Sequence, residues 1–225
     1  DTARQLFELT GKGMYDVYGL TETCAFATCT PWKGKVKAGT VGVPLPNTDV
    51  SIVDLEWVER ELPTGEAGEI CIKGPQLMQG YYKRPAETAE AIRDGWLYSG
   101  DIGFLDADGH LTIVDRKKDM ICAAGFNIYP NEVDEVLFDH AKIQEACTIG
   151  VPDPYRGETV KAFVVLKPGE TLTAEEILRH CRERLAAYKV PAEIAFLESL
   201  PKSAVGKILR RELRERESGK RAPSG

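Results

Sequence analysis

The sequence predicts a mixed α/β chain in two parts, β-rich up to about Lys118 and α+β beyond it, and three observations carry that prediction. Between Val41 and Val114, short runs of alternating apolar residues are cut by Gly, Pro and Asp turns, the period-2 pattern of half-buried strands. After the charged cluster Asp115-Arg116-Lys117-Lys118-Asp119 the pattern changes to helix mixed with strand. The length of 225 residues suits two domains better than one. Domains over 1–117 and 118–225 are therefore expected.

Taken in order, Tyr18-Gly19-Leu20-Thr21-Glu22 reads as a strand end running into a helix cap. Val50–Val53 and Glu69–Lys73 read as strands. Tyr98-Ser99-Gly100-Asp101 reads as a β-turn, because Ser, Gly and Asp each favour turns for their own steric or hydrogen-bonding reason. Asp106-Ala107-Asp108-Gly109 turns into Leu111–Val114, a hairpin returning on Gly103–Leu105. The run 115–119 carries both signs of charge and reads as a solvated loop at a junction, with a glycine hinge at Gly125 close behind.

Tyr129-Pro130 opens a helix with Pro in its first turn and Val133, Val136 and Leu137 on one face. Strands over 146–151 and 159–166 follow. The capping box Thr173-Ala174-Glu175-Glu176 starts a second helix, which buries Ile177, Cys181 and Leu185 at four-residue spacing and stops before Pro191. Ile194–Leu197 makes a short strand, and Lys207–Arg216 a last helix.

Apolar residues at 43% and charged residues at 28% are the balance of an ordinary globular protein. No apolar run approaches the ~20 residues that span a bilayer, and no signal peptide opens the chain, so a cytoplasmic protein is expected. A start at Asp1 instead of Met points to a truncated or processed beginning. The six cysteines show no CxxC pairing and are expected to be reduced and mostly buried. The net charge is −6, yet residues 201–225 hold eight Lys/Arg against three Glu. With no aromatic interleaved for base stacking, that tail reads as a solvated amphipathic helix and not as a nucleic-acid site.

Pro201-Lys202-Ser203-Ala204-Val205-Gly206-Lys207 has the Gly-Lys of a phosphate loop but fails its test. Such a loop needs two glycines flanking four residues and a Ser/Thr after the Lys, whereas here one glycine stands alone and Ile208 follows.

Four stretches, 18–22, 98–101, 115–130 and 201–207, occur in an order and spacing that resemble the adenylate-forming superfamily of acyl-CoA ligases, amino-acid adenylation domains and luciferases. The likeness runs from Tyr15 to about Leu213, and DRKKDMICAAGFNIYPNEVDEVL (115–137) is similar to fatty acyl-CoA ligases. The resemblance implies that 1–117 is the β-rich, distorted-barrel end of a large AMP-binding domain. It implies that 118–225 is a mobile α+β lid hinged at Lys118. The implied reaction is ATP-dependent: the carboxylate of a long- or medium-chain fatty acid forms an acyl adenylate, and coenzyme A converts it to the thioester.

By the same resemblance Tyr18 stacks on adenine, Gly19 belongs to the nucleotide site, Thr21 hydrogen-bonds phosphate and Glu22 ligates Mg2+. Asp101 accepts from the ribose hydroxyls, and Arg116 reaches ribose or phosphate. Lys207 is the catalytic lysine, acting with Thr21 and Glu22, and in some relatives it is acetylated. Ala124 and Gly125 line the pantetheine tunnel, and Tyr188 stacks on the coenzyme A adenine. The implied partners are a carboxylic acid, ATP/AMP and coenzyme A, with no nucleic acid. Peripheral membrane contact through a lipid substrate, and oligomerisation through an upstream half, are compatible with this reading. Residues 1–14 hold nothing like the Gly- and Ser/Thr-rich phosphate loop, so the 225 residues alone are expected to be inactive. Only Cys24–Phe26 are placed to shape the acyl pocket. The rival readings are an acyl-AMP ligase or carrier-loading adenylation domain, against which Asn127-Ile128-Tyr129-Pro130 argues, and a non-catalytic module with a basic tail.

Overall fold

The computed structural model describes residues 2–11, 13–34, 36–58 and 60–221. They form two compact units that meet in sequence at Lys117 and Lys118. The class is mixed α/β and strand-rich, with a sheet of the first unit curled as half a barrel.

The first unit begins with helix α1 (Thr2–Thr10), then an antiparallel three-stranded sheet of β1 (Val17–Tyr18), β2 (Thr28–Cys29) and β3 (Val43–Pro44). A five-stranded sheet follows, built from β4 (Asp49–Val53), β5 (Gly68–Lys73), β6 (Ile92–Arg93), β7 (Trp96–Leu105) and β8 (Leu111–Arg116), with helix α2 (Pro85–Ala91) before β6. Strand β5 pairs with β4 on one edge and β7 on the other. Residues 68–72 are buried on both faces, as expected of a central strand. Ile70 and Ile72 pack with Ala27, Ile52 and Leu111, and Tyr18 of β1 packs against this cluster, so both sheets contribute to the core. The far edge of β7 is divided, its start paired with β6 and its end with β8.

The second unit contains β9 (Ile121–Ala123), β10 (Phe126–Ile128), α3 (Pro130–Phe138), β11 (Ile143–Asp153), β12 (Gly157–Leu166), α4 (Ala174–Arg182), β13 (Glu193–Phe196) and α5 (Arg210–Arg221). Its sheet runs β10-β9-β12-β11, and β13 lies parallel beside β12. Side chains alternate across a strand, which sorts this core into two layers. Ala146, Val160, Ala162 and Val164 face the side of α3 and α4 with Val133, Leu137, Ile177 and Cys181. Cys147, Ile149, Val151, Phe163 and Val165 face the side of α5, where Leu213 is fully buried.

Five expectations are corrected. Tyr98–Asp101 is not a β-turn but a bulged stretch inside β7. The run 115–119 is not a solvated loop, since Asp115 ends a paired strand and both Asp115 and Asp119 are buried. The last helix starts at Arg210 and not at Lys207, because Ser203–Lys207 closes a turn in which Ser203 N donates to Lys207 O at 2.8 Å. Helix α4 ends at Arg182, before the buried Leu185. Only Cys71, Cys147 and Cys181 are buried; Cys24 and Cys122 are exposed and Cys29 lies between. Cys122 points outward because its neighbours Ile121 and Ala123 take the inner face of β9. None of the six forms a disulfide, in keeping with the expectation of reduced thiols.

Candidate functional site

In the first unit the predicted residues Tyr18, Asp101 and Arg116 converge. Strands β7 and β8 place Asp101 directly opposite Arg116. The Tyr18 hydroxyl donates to Asp101 Oδ2 at 2.8 Å, and Arg116 Nε stands 3.7 Å from Asp101 Oδ1. Burial and the Asp101 charge push the Tyr18 phenol far above its ordinary value, so it stays a neutral donor. Asp101 is half-buried and Arg116 exposed, an arrangement open to a ligand bearing hydroxyls.

Beside Tyr18 the chain folds back on itself through a 3-10 turn, Thr21–Thr23. A Cβ on Gly19 would lie 2.1 Å from the Ala25 carbonyl oxygen, so only glycine fits there. Buried Thr23 locks the turn: its Oγ accepts from Leu20 N at 2.8 Å and donates to Leu20 O at 3.0 Å. Thr21 is left exposed and Glu22 half-buried. Cys24 and Ala25 follow with φ of 50° and 88°, a left-handed stretch costly for residues with a Cβ.

Glu22 Oε1 accepts from the Tyr81 hydroxyl at 2.7 Å, and that bond raises the Tyr81 pKa. A cavity of about 530 Å³ is lined by Tyr81, which bonds Glu22, and by Ser99, Gly100, Glu69 and Lys117. Among the described residues no cluster of three or more His, Cys, Asp or Glu could hold a metal ion. A cation here would take one carboxylate oxygen from Glu22 and complete its shell with phosphate and water oxygens, which suits Mg2+.

In the second unit Lys118 is exposed, and its carbonyl oxygen accepts from Arg214 Nη1 at 3.0 Å while Asp119 pairs with the same guanidinium. Ala124 and Gly125 form the two-residue turn of the β9–β10 hairpin, with φ of 51° and 83°. Next to that turn in the chain, Phe126 stacks on Tyr188 with ring centroids 4.5 Å apart. Lys189 pairs with Glu132 at 2.6 Å. Lys207 is exposed at the end of the 203–207 turn, its N–H held by Ser203 Oγ at 3.2 Å.

Residues 1–82 match the AMP-binding enzyme family, and residues 132–207 match the AMP-binding enzyme C-terminal domain. The chain belongs to the AMP-binding enzyme family. A long-chain-fatty-acid–CoA ligase of Bacillus subtilis is 51% identical over 96% of this AMP-binding chain, and one of Salmonella typhimurium is 48% identical over 97%. The chain spans 38% of the length of each. The crystal structure of ATP-bound MatB from Rhodopseudomonas palustris superposes with a TM-score of 0.89 at 35% identity, over 96% of this chain and 43% of that one.

Several residues that shape the site were not singled out by their sequence context. Tyr81 sits 59 residues from Glu22 and Glu69 sits 48 from Lys117, so no local pattern connects them. Glu69 did carry a signal, being an acidic residue inside a strand otherwise buried from Gly68 to Ile72. Phe126 carried none.

Proposed function

We propose that the protein is an ATP-dependent acyl-CoA ligase, an AMP-forming acid-thiol ligase, acting on long- or medium-chain fatty acids. The observation that carries this reading is the Tyr18–Asp101–Arg116 group, a carboxylate presented between a neutral donor and a cation. Its two oxygens suit the two hydroxyls of a ribose. The long-chain-fatty-acid–CoA ligase relatives support the acid class.

In the first half-reaction a carboxylate oxygen of the acid attacks the α-phosphorus of ATP and pyrophosphate leaves. In the second, the coenzyme A thiolate attacks the acyl carbonyl carbon and AMP leaves. No protein nucleophile is needed, and catalysis rests on positioning and charge compensation. Asp101 and Arg116 fix the ribose, Tyr18 and Gly19 border the base, and Thr21 donates to phosphate. Mg2+, when bound, would neutralise phosphate charge beside Glu22. Lys207 offers a flexible ammonium to the oxygens that gain charge during adenylation. Ala124 and Gly125 let the backbone approach a thin pantetheine arm, with Tyr188 beside it and Lys118 as the hinge.

The test is a panel of short-, medium- and long-chain and aryl acids offered to the full-length protein, with AMP and thioester followed. Coenzyme A-dependent AMP release, greatest with medium- or long-chain acids, is expected. Thioester formed only on a carrier protein would establish the carrier-loading alternative instead. The 225 residues alone should release no pyrophosphate above background.

A further inference from the structure

We propose that Glu69 is a positioning residue for nucleotide binding: its buried carboxylate braces the bulge that aims Asp101 and ties it to the segment that carries Arg116. This rests on the reading of Asp101 and Arg116 as ribose contacts.

The need for such a brace follows from the sheet register. Between the ladder pairs Glu69↔Ile102 and Cys71↔Tyr98, strand β5 supplies one residue, Ile70, and β7 supplies three, Ser99, Gly100 and Asp101. Such a bulge withdraws backbone groups from the ladder and re-aims side chains, and bulges concentrate beside active sites for that reason. Gly100 sits at φ 73°, in the left-handed region that glycine occupies at no steric cost.

A bulge that gives up ladder bonds must find other partners for its N–H groups. Asp101 N donates to Ser99 Oγ at 3.1 Å, a bond local to the bulge. Gly100 N donates to Glu69 Oε1 at 3.2 Å, which anchors the bulge to the central strand. The other oxygen, Oε2, accepts from Lys117 Nζ at 2.7 Å. Glu69 therefore holds the residue before Asp101 with one oxygen and the residue after Arg116 with the other. The cross-strand pair Asp101↔Arg116 lies between these two points.

Burial makes the brace specific. Glu69 is 5% exposed, and a carboxylate in that setting persists only with its charge paired and its oxygens bonded. Lys117 supplies the pairing. It is also the last residue of the first unit.

The experiment uses the full-length protein with Glu69→Gln, which keeps the volume and removes the charge, and compares ATP with 2′,3′-dideoxy-ATP in pyrophosphate exchange. The wild type should prefer ATP. In the variant the KM for ATP should rise about tenfold, in line with one charged hydrogen bond, while kcat changes by less than about twofold and the KM for the dideoxy nucleotide stays constant. Combined with Asp101→Ala, Glu69→Gln should add no further penalty. A fall in kcat at unchanged KM, or additive penalties, would overturn the role of Glu69 alone. A wild type that does not distinguish the two nucleotides would overturn the ribose reading and the role of Glu69 with it. Should Glu69→Gln fail to fold, amide exchange on the wild type decides: a slowly exchanging Gly100 N–H supports the brace and a freely exchanging one ends it.

Discussion

At Asp134 burial and charge pull in opposite directions. Its carboxylate meets Arg210 Nη2 at 2.6 Å, yet burial outweighs the guanidinium and lifts the pKa to about 6. The unfolded carboxyl titrates near 4, so the folded chain binds the extra proton between about pH 4 and pH 6. The contribution of this group to stability is therefore fully present below about pH 4 and lost as pH rises through 6. A shift of this size amounts to roughly 3 kcal/mol. In urea titrations the advantage of wild type over Asp134→Asn should shrink by about that amount from pH 4 to pH 7; a constant difference would show that Asp134 titrates normally. Ala124 poses a different residue-scale question, since its φ of 51° costs a side chain that glycine would not carry. Ala124→Gly should leave the melting temperature unchanged or raise it slightly, the relieved strain of about 1 kcal/mol being offset in part by the entropy of an added glycine. Motif spacing made Thr21, Glu22 and Asp101 legible as candidates. The bond from Tyr18 to Asp101, which spans 83 residues, was not, because pairing at that separation is decided by the packing of two sheets.

Helix α5 shows what period and composition reveal about an element and what they hide. Its surplus of Lys and Arg read as a solvated face. In the fold Arg210 is spent on Asp134 and Asn131, Arg214 on Asp119 and the Lys118 carbonyl, and Glu217 on Lys161. Those partners lie 56 to 96 residues away, beyond any helical period. The strands around the buried Leu213 were visible in the pattern, because burial leaves a repeat of two that charge pairing does not. Buried Lys161 donates to Glu193 and Glu217, each at 2.6 Å, but Glu193 is largely exposed and Glu217 is not. Glu217→Ala should therefore destabilise by about 3 kcal/mol or more, and Glu193→Ala by under about 1 kcal/mol. Equal losses in chemical denaturation would place the two carboxylates on a par. Leu213→Ala should cost about 2–5 kcal/mol by leaving a cavity against the sheet.

For the whole molecule, the second unit presents two candidate surfaces that one static placement cannot serve together. The Ala124–Gly125 turn belongs to the β9–β10 hairpin, which joins the sheet at Gly157, opposite the Asp153 end of β11. The turn ending at Lys207 is tied through Lys202 to Glu145, near the other end of β11 and on the far edge of the sheet. Eight residues of strand separate Asp153 from Glu145, roughly 26 Å at the usual rise. If Lys207 and the Ala124–Gly125 turn have the roles proposed above, a single ligand about to react cannot meet both, and the two act in different placements of this unit. Two half-reactions in succession supply a use for two placements. In the full-length protein Lys207→Ala should lower acyl-adenylate formation by about 100-fold or more, since it removes the charge proposed to meet the reacting phosphate. Thioester formation from premade acyl adenylate and coenzyme A should stay within about threefold of wild type, because the Ala124–Gly125 surface is untouched. Bulky Ala124→Trp should reverse the pattern, sparing adenylation and blocking thioester. Equal loss of both steps in Lys207→Ala would show that one placement serves both reactions.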